Sequence, residues 1–216
     1  YTMVYGTIKL INFAHGDVYM MGAFVDFYAM NGLGLNIFLS LLLAMVTCAV
    51  LGVVIERVAY KPLRRSTRVA ALITAIGVSF LLENVMSYLF GAEIRPFPSD
   101  FGTTNYTLFG SITINGKQVL IFATTVILMA LLQFIVRYTK MGKAMRAVAV
   151  DEDAAQLMGI DVDQVISFTF ALGSSLAGIA GVLVALYYNT FSATMGIVPG
   201  LKAFVAAVLG GIGSIP

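Results

Sequence analysis

Residues 164–201 run for 38 positions without one charged side chain, and residues 27–55 carry none either. Runs of this kind set the fold class. A helix needs about 20 apolar residues to cross a bilayer core of about 30 Å. "NIFLSLLLAMVTCAVLGVVI" at 36–55 has that length. "VAALITAIGVSFLLENVMSYLF" at 69–90 and "VLIFATTVILMALLQFIV" at 119–136 supply two more spans. The 164–201 run is too long for one crossing. "VISFTFALGSSLAGIAGVLVALYY" at 165–188 gives a fourth, and the rest continues as a Gly- and Pro-interrupted segment. Only 11% of the 216 residues are charged, against about 25% in soluble domains. The expectation is an all-α, polytopic integral membrane helical bundle with broken helices at membrane depth. The broken segments lie at 10–30 and 194–216.

The net charge of +2 says less than its distribution. Arg57, Lys61, Arg64, Arg65 and Arg68 separate two spans, and Arg137, Lys140, Lys143 and Arg146 follow the next but one. Two crossings lie between these loops, so both face one side. An excess of Lys and Arg marks that side as cytoplasmic. Loops 56–68 and 137–164 are thus expected inside and loop 91–118 outside. "FGTTNYTLFGSITINGKQ" in the outer loop reads as turns or a small hairpin. Cys48, the single cysteine, lies in an apolar run and reads as a small buried side chain.

"NFAHGD" at 12–17 holds the one histidine. Gly16 permits a left-handed backbone, and Asp17 is a strong N-cap for a helix starting near Val18. The spacing suits a turn feeding a helix, with Asp17 and His15 bonding exposed amides. A metal site would need more ligands, and the chain has no second His. No metal is expected. A Ser–His–Asp hydrolase lacks a nucleophile turn. A polar break at membrane depth marks a substrate route in many transporters. Asn12, His15 and Asp17 are therefore candidates for a translocation path.

In the second broken segment, Pro199 and Gly200 interrupt the chain, Lys202 precedes a short apolar helix, and Gly210, Gly211 and Gly213 end it. Two such segments near opposite ends suit two halves that meet around a path. Asp26 and Glu83 sit inside apolar helices, Glu83 about 10 Å from the outer end of its span at 1.5 Å per residue. Such acids usually face a bundle interior. They join Lys202 as path candidates, with a structural role or pairing with Lys9 or Lys202 as alternatives. Gly173, Ala177 and Gly181 form a small-x-x-x-small ladder for close helix packing.

Between the last two clear spans, "RYTKMGKAMRAVAVDEDAAQLMGIDVDQV" sets four basic residues beside the membrane. Asp151, Glu152 and Asp153 suit the start of a short helix, where the dipole favours negative charge, and Gly159 suits its end. Asp163 can cap the next span. The product is a short helix presenting Ala155, Leu157 and Met158. A solvated connector is the plainer reading. A docking helix explains better why a charged loop keeps exposed apolar residues.

"DAAQLMG" at 153–159 resembles the EAA-type loop of ABC importer permeases, with Asp153 for the usual Glu and Thr169, Phe170 and Ala171 where an Ile-x-Leu-Pro ending would fall. Together with "YTMVYGTIKLINFAHGDVYMMGAF", "ERVAYKPLR", "RYTKMGKAMRAVAVDEDAAQLMGI" and "GLKAFVAAVLGGIGSIP", it makes the chain resemble the branched-chain amino-acid ABC transporter permeases of the LivH type. The resemblance spans almost the whole chain. It implies a bacterial inner-membrane permease, a single domain over 1–216, expected as a fragment lacking a first helix and C-terminal helices. It also implies a second related permease, two ATP-binding subunits and a periplasmic amino-acid-binding protein as partners, with lipid around the helices and no nucleic acid. Asp151, Glu152, Asp153, Ala154, Ala155, Leu157 and Gly159 would then form the ATPase-coupling loop. The chain has no G-x-x-x-x-G-K-[ST] phosphate loop. It needs no cofactor of its own, and ATP would bind to partner ATPases. It is not expected to be an enzyme. Rival readings are a urea or short-amide permease, an ion-coupled secondary transporter using Asp26 or Glu83, and a channel.

Overall fold

A computed structural model describes residues 4, 6, 12–64, 66–97, 105–108 and 112–210. Helices α1 (His15–Leu33), α2 (Ile37–Ile55) and α3 (Arg68–Phe90) come first, with a π turn (Glu56–Tyr60) and a 3-10 turn (Lys61–Leu63) between α2 and α3. Strands β1 (Arg95–Pro96), β2 (Asn105–Leu108) and β3 (Ile112–Asn115) follow. Then come α4 (Gly116–Tyr138), α5 (Lys140–Val150), α6 (Glu152–Leu157), α7 (Val162–Tyr188), β4 (Thr190–Phe191) and α8 (Ile197–Leu209). Four helical stretches are long and apolar enough to cross a membrane: Ile37–Leu63, Val69–Phe90, Gly116–Tyr138 and Val162–Tyr188. They coincide with the four expected spans.

In hydrocarbon a backbone group must be satisfied within the protein, which forces spanning segments into helices. Local chemistry closes their ends. Thr67 Oγ1 accepts from the Ala70 amide at 3.3 Å. Asn115 and Gln118 form a reciprocal capping box on α4. Asp151 accepts from Ala154 N at 3.0 Å to start α6, and Asp161 accepts from Gln164 N at 3.1 Å to start α7. Asp161, not Asp163, is thus the cap of α7; Asp163 lies one residue inside the helix and is engaged elsewhere. Gly34, at φ +62°, closes α1 in a left-handed conformation that a side chain would strain.

The expected interruption at Pro199 and Gly200 is absent. Helix α8 runs through both, and Gly200 N donates to Gly196 O at 2.9 Å. Pro199 sits in the first turn, where a missing N–H costs nothing because that donor has no helical acceptor. Gly210 ends the helix as expected; Gly211 and Gly213 lie outside the described residues. Loop 91–118 does form a hairpin, β2 antiparallel to β3, and β1 pairs antiparallel with β4.

The core is a three-helix unit of α1, α2 and α7, and small residues let the backbones touch. A Cβ added to Gly22 would fall on the Gly178 carbonyl, and one on Gly181 would fall on the Tyr19 carbonyl. On the other flank, a Cβ on Gly178 would stand 2.6 Å from Cys48 Sγ, and one on Gly52 would collide with Ser174. Cys48 is fully buried at that crossing and donates to Val18 O at 3.5 Å. Aromatic rings close the unit toward the β1–β4 end, where Phe24 meets Phe191 edge-on at 4.9 Å. Helix α4 is the opposite case: its one buried residue is Lys117, while Phe122, Ile127, Met129 and Phe134 are exposed. An apolar helix with an exposed surface of that kind suits lipid rather than water.

Gly181→Leu should cost about 3 kcal/mol or more, since overpacking against rigid backbone cannot relax. Gly32→Ala, at an α1 position with nothing within 4 Å of the added methyl, should leave stability unchanged or raised. Thermal unfolding of both variants in mild detergent checks this; equal melting temperatures would refute the close-contact role.

Candidate functional site

The first candidate region lies where α1 begins. Helix α1 starts at His15 with Ala14 as its cap, and no side chain bonds the cap amides. The Asn12–Ala14 turn sets this start: His15 N donates to Asn12 O at 3.3 Å and Asp17 N to Ala14 O at 3.1 Å. The expected N-cap role of Asp17 is therefore corrected: Asp17 occupies the third helical position, where its charge still favours the helix dipole. Gly16 is not left-handed either. Its lack of a side chain serves packing, since a Cβ there would collide with the Gly196 carbonyl and stand 3.3 Å from Gly200 Cα. The starts of α1 and α8 thus meet backbone to backbone, and the Phe13 and Phe204 rings stack across the same junction at 5.4 Å.

This junction gathers some candidates and leaves others out. Asn12 is buried and accepts from Tyr60 Oη at 3.0 Å. His15 lies against Gly173 of α7. Asp17 is buried, with Oδ2 lacking a hydrogen-bond partner, and Ser79 and Glu83 of α3 stand across from its carboxyl. Two carboxyls thus stand near each other beside the opening of α1. Asp26 is fully buried farther along α1, and neither of its oxygens has a hydrogen-bond partner. Nine residues of helix separate it from Asp17, about 13 Å at the helical rise. Lys202 is exposed on α8 and makes no ion pair with Asp26 or Glu83. Lys9 lies outside the described residues. Among the described residues no group of three or more His, Cys, Asp or Glu could hold a metal ion.

The second region is the end of the bundle where both basic loops meet. Helix α6 is capped by Asp151, carries Glu152 and Asp153 in its first turn, and ends with Gly159 at φ +83°. Gly159 N donates to Gln156 O at 3.0 Å and Ile160 N to Ala155 O at 3.1 Å, so the left-handed glycine folds the chain back over the helix end. Leu157 and Met158 are 89% and 83% exposed. Ala155 is not part of that outer face: it is buried and belongs to the apolar cluster that also holds Tyr60, Val165 and Ile166. The helix therefore presents apolar tips outward and roots itself inward by one methyl.

The region also contains residues that the motifs do not reveal. Arg64 donates to Glu56 and to Asp163. Lys61 Nζ lies 2.6 Å from Asp163 Oδ2. Ser167 Oγ donates to Glu56 Oε2 at 2.7 Å. The available signal was Glu56 itself, one acid at the junction of an apolar span and a basic loop.

Four helices of crossing length and glycine-mediated helix contacts make this a helical polytopic membrane protein, and its family makes it a permease, a transport component rather than a catalytic enzyme. The chain belongs to the family described as "Branched-chain amino acid transport system / permease component", whose model matches residues 1–216. It is 42% identical over 227 residues to the high-affinity branched-chain amino acid transport system permease protein LivH of Escherichia coli, covering all of this chain and 74% of that protein. It is 40% identical over 229 residues to the corresponding protein BraD of Pseudomonas aeruginosa, at the same coverage. The ribose import permease protein RbsC of Haemophilus influenzae is 31% identical over 148 residues, 67% of this chain and 44% of that one. No solved structure matches.

Asp26→Leu should keep or raise the detergent melting temperature, because it removes a buried polar group that has no partner. It should leave uptake within about twofold of the parent, whereas Asp17→Leu should lower uptake roughly tenfold, the effect of about 1.4 kcal/mol on a barrier. Uptake and melting curves on the two variants check this; equal losses would refute the separation of Asp26 from the path.

Proposed function

We propose that the chain is the transmembrane subunit of a binding-protein-dependent ABC importer that moves branched-chain amino acids into a bacterial cell. The observation that carries this reading is α6: capped, rooted by Ala155 and offering Leu157 and Met158 outward, in a chain 42% identical to LivH. Residues 151–159 dock an ATP-binding partner. Energy comes from that partner, since the sequence holds no phosphate-binding loop of its own. A second related permease completes the path, and a periplasmic binding protein delivers substrate to the other face.

The sides follow from charge. Loops 56–68 and 137–164 hold nine of the thirteen basic residues and face the cytoplasm across the inner membrane. The bonds from Arg64 and Lys61 to Asp163 support placing both loops at one end. Loop 91–118, with its hairpin, faces the periplasm.

The path runs past Asn12, His15, Asp17 and Glu83, where α1, α3, α7 and α8 converge. The facing carboxyls of Asp17 and Glu83 suit the ammonium of an amino acid, and the apolar walls suit an aliphatic side chain. The similarity to a ribose permease shows that related scaffolds serve other substrates, so the substrate assignment rests on the closer identity to LivH and BraD.

Asp153→Lys and Gly159→Trp should each lower leucine uptake roughly tenfold, with membrane levels of the subunit unchanged. An excess of isoleucine or valine, but not urea, should compete with labelled leucine in the parent. Whole-cell uptake together with co-purification of the ATPase checks both points. Normal uptake by the two variants would sink the docking assignment, and uptake that a protonophore abolishes in cells lacking the ATPase would favour an ion-coupled carrier.

A further inference from the structure

The docking helix and the polar turn at the start of α1 lie at different levels of the bundle, yet a continuous set of contacts joins them. The set begins where α7 starts. Asp163 is held by Lys61 at 2.6 Å and by Arg64. Arg64 also grips Glu56, which is fully buried and accepts from Ser167 at 2.7 Å. The four charges, two of each sign, neutralise one another within the clasp. Ala155 of α6 is buried in an apolar cluster whose other members include Ala59 and Tyr60, just after Glu56, and Val162 and Val165, on either side of Asp163.

Glu56–Tyr60 is a π turn, its end closed by Lys61 N donating to Glu56 O. A single π turn within an apolar helix is rare and recurs at functional sites, because it holds one more residue than the helix needs. The alternative for the same residues is an ordinary α turn. Changing from one to the other rotates the following residues by about 100°, one residue's share of a 3.6-residue turn. Tyr60 is the last residue of the π turn. Its ring packs on Phe170 at 5.2 Å, and its hydroxyl donates to Asn12 Oδ1 at 3.0 Å. Asn12 O in turn accepts from His15 N, the first amide of α1.

We propose that the Glu56–Tyr60 π turn, clasped by Arg64, Asp163 and Lys61, transmits movement of the docking helix to the turn that opens α1. This role rests on the docking assignment of residues 151–159. Displacement of α6 and the start of α7 pulls Asp163, and the clasp passes that pull to Glu56. The π turn yields, Tyr60 shifts, and the Asn12–Ala14 turn follows. Glu56, Arg64, Lys61, Asp163 and Tyr60 are positioning residues that act through Asn12.

Glu56 is a poor test position, since removing one partner of a buried ion pair destabilises the fold. The half-exposed Lys61–Asp163 pair and the Tyr60 hydroxyl are better. Lys61→Asp, Asp163→Lys, the reversed double variant and Tyr60→Phe are made in the full complex with its ATPase and binding protein. ATP hydrolysed per labelled leucine moved is the readout, because a merely structural defect lowers both quantities together. The expected result is a ratio raised roughly tenfold in each charge-reversed single variant. The double variant restores the 61–163 attraction but sets a lysine beside Arg64, so its ratio should fall below that of either single variant without reaching the parent's, and Tyr60→Phe should raise the ratio as well. An unchanged ratio in the single variants, or a double variant no better than they are, would overturn the proposal. Asp153→Lys separates the two readings: if it loses the ATPase while the clasp variants keep the parent ratio, docking stands and the clasp falls. If Asp153→Lys retains the ATPase and transports normally, the docking assignment falls and takes the transmission role with it.

Discussion

Helices in hydrocarbon gain no hydrophobic energy from meeting one another, because lipid tails are as apolar as leucine. What holds this bundle together is backbone approach. Gly22 meets Gly178, Gly181 meets Tyr19, Gly52 meets Ser174, and Gly16 meets Gly196, each at a separation that leaves no room for a methyl. These contacts convert a small-residue sequence into dispersion energy over long surfaces. They fix α7 between α1 and α2, and every other element is placed relative to that unit. Helices α3 and α4 turn many apolar side chains outward, and α4 makes a comparable contact at its end, where Gly142 meets the carbonyls of Ile135 and Val136.

A core so closely packed has low compressibility. Among the described residues, polar side chains gather at its two ends and beside the opening of α1, with Asp26 and Ser40 buried apart from these. Asn12, Asp17 and Glu83 stand at that opening. At one end sits the charged clasp, its neighbours in sequence sharing an apolar cluster with Ala155 of α6. At the other, Arg95 bonds the Tyr28 hydroxyl at 3.0 Å, and Lys117 bonds Asn189 at the left-handed cap of α7. This division leaves a closely packed three-helix unit with polar groups beside the opening of α1 and a charged clasp at one end.

Much of this was legible in the sequence for physical reasons. Uncharged runs of bilayer length have one stable solution, so the four spans emerged with little error. The caps of α6 were readable because Asp151 and Gly159 obey strong local preferences. The failures are local as well. Asp17 has the chemistry of an N-cap, but the Asn12–Ala14 turn opens the helix three residues earlier, and tertiary contact with α8 overrides the preference. Pro199 reads as a break in a one-dimensional pattern, yet in a first turn it is harmless. Ala155 was placed on the outer face because six residues of helix do not show which side faces inward. The clasp was invisible because its members lie 8 and about 100 positions apart. The π turn leaves no pattern in residue types at all.

The most direct measurement is leucine accumulation in proteoliposomes holding the complete purified complex, with binding protein on the outward side and ATP on the other. Accumulation should require both ATP and binding protein and should persist when a protonophore collapses the proton gradient. Accumulation that proceeds without ATP and vanishes with the protonophore would contradict the account and make the Asp17–Glu83 pair the seat of an ion-coupled carrier.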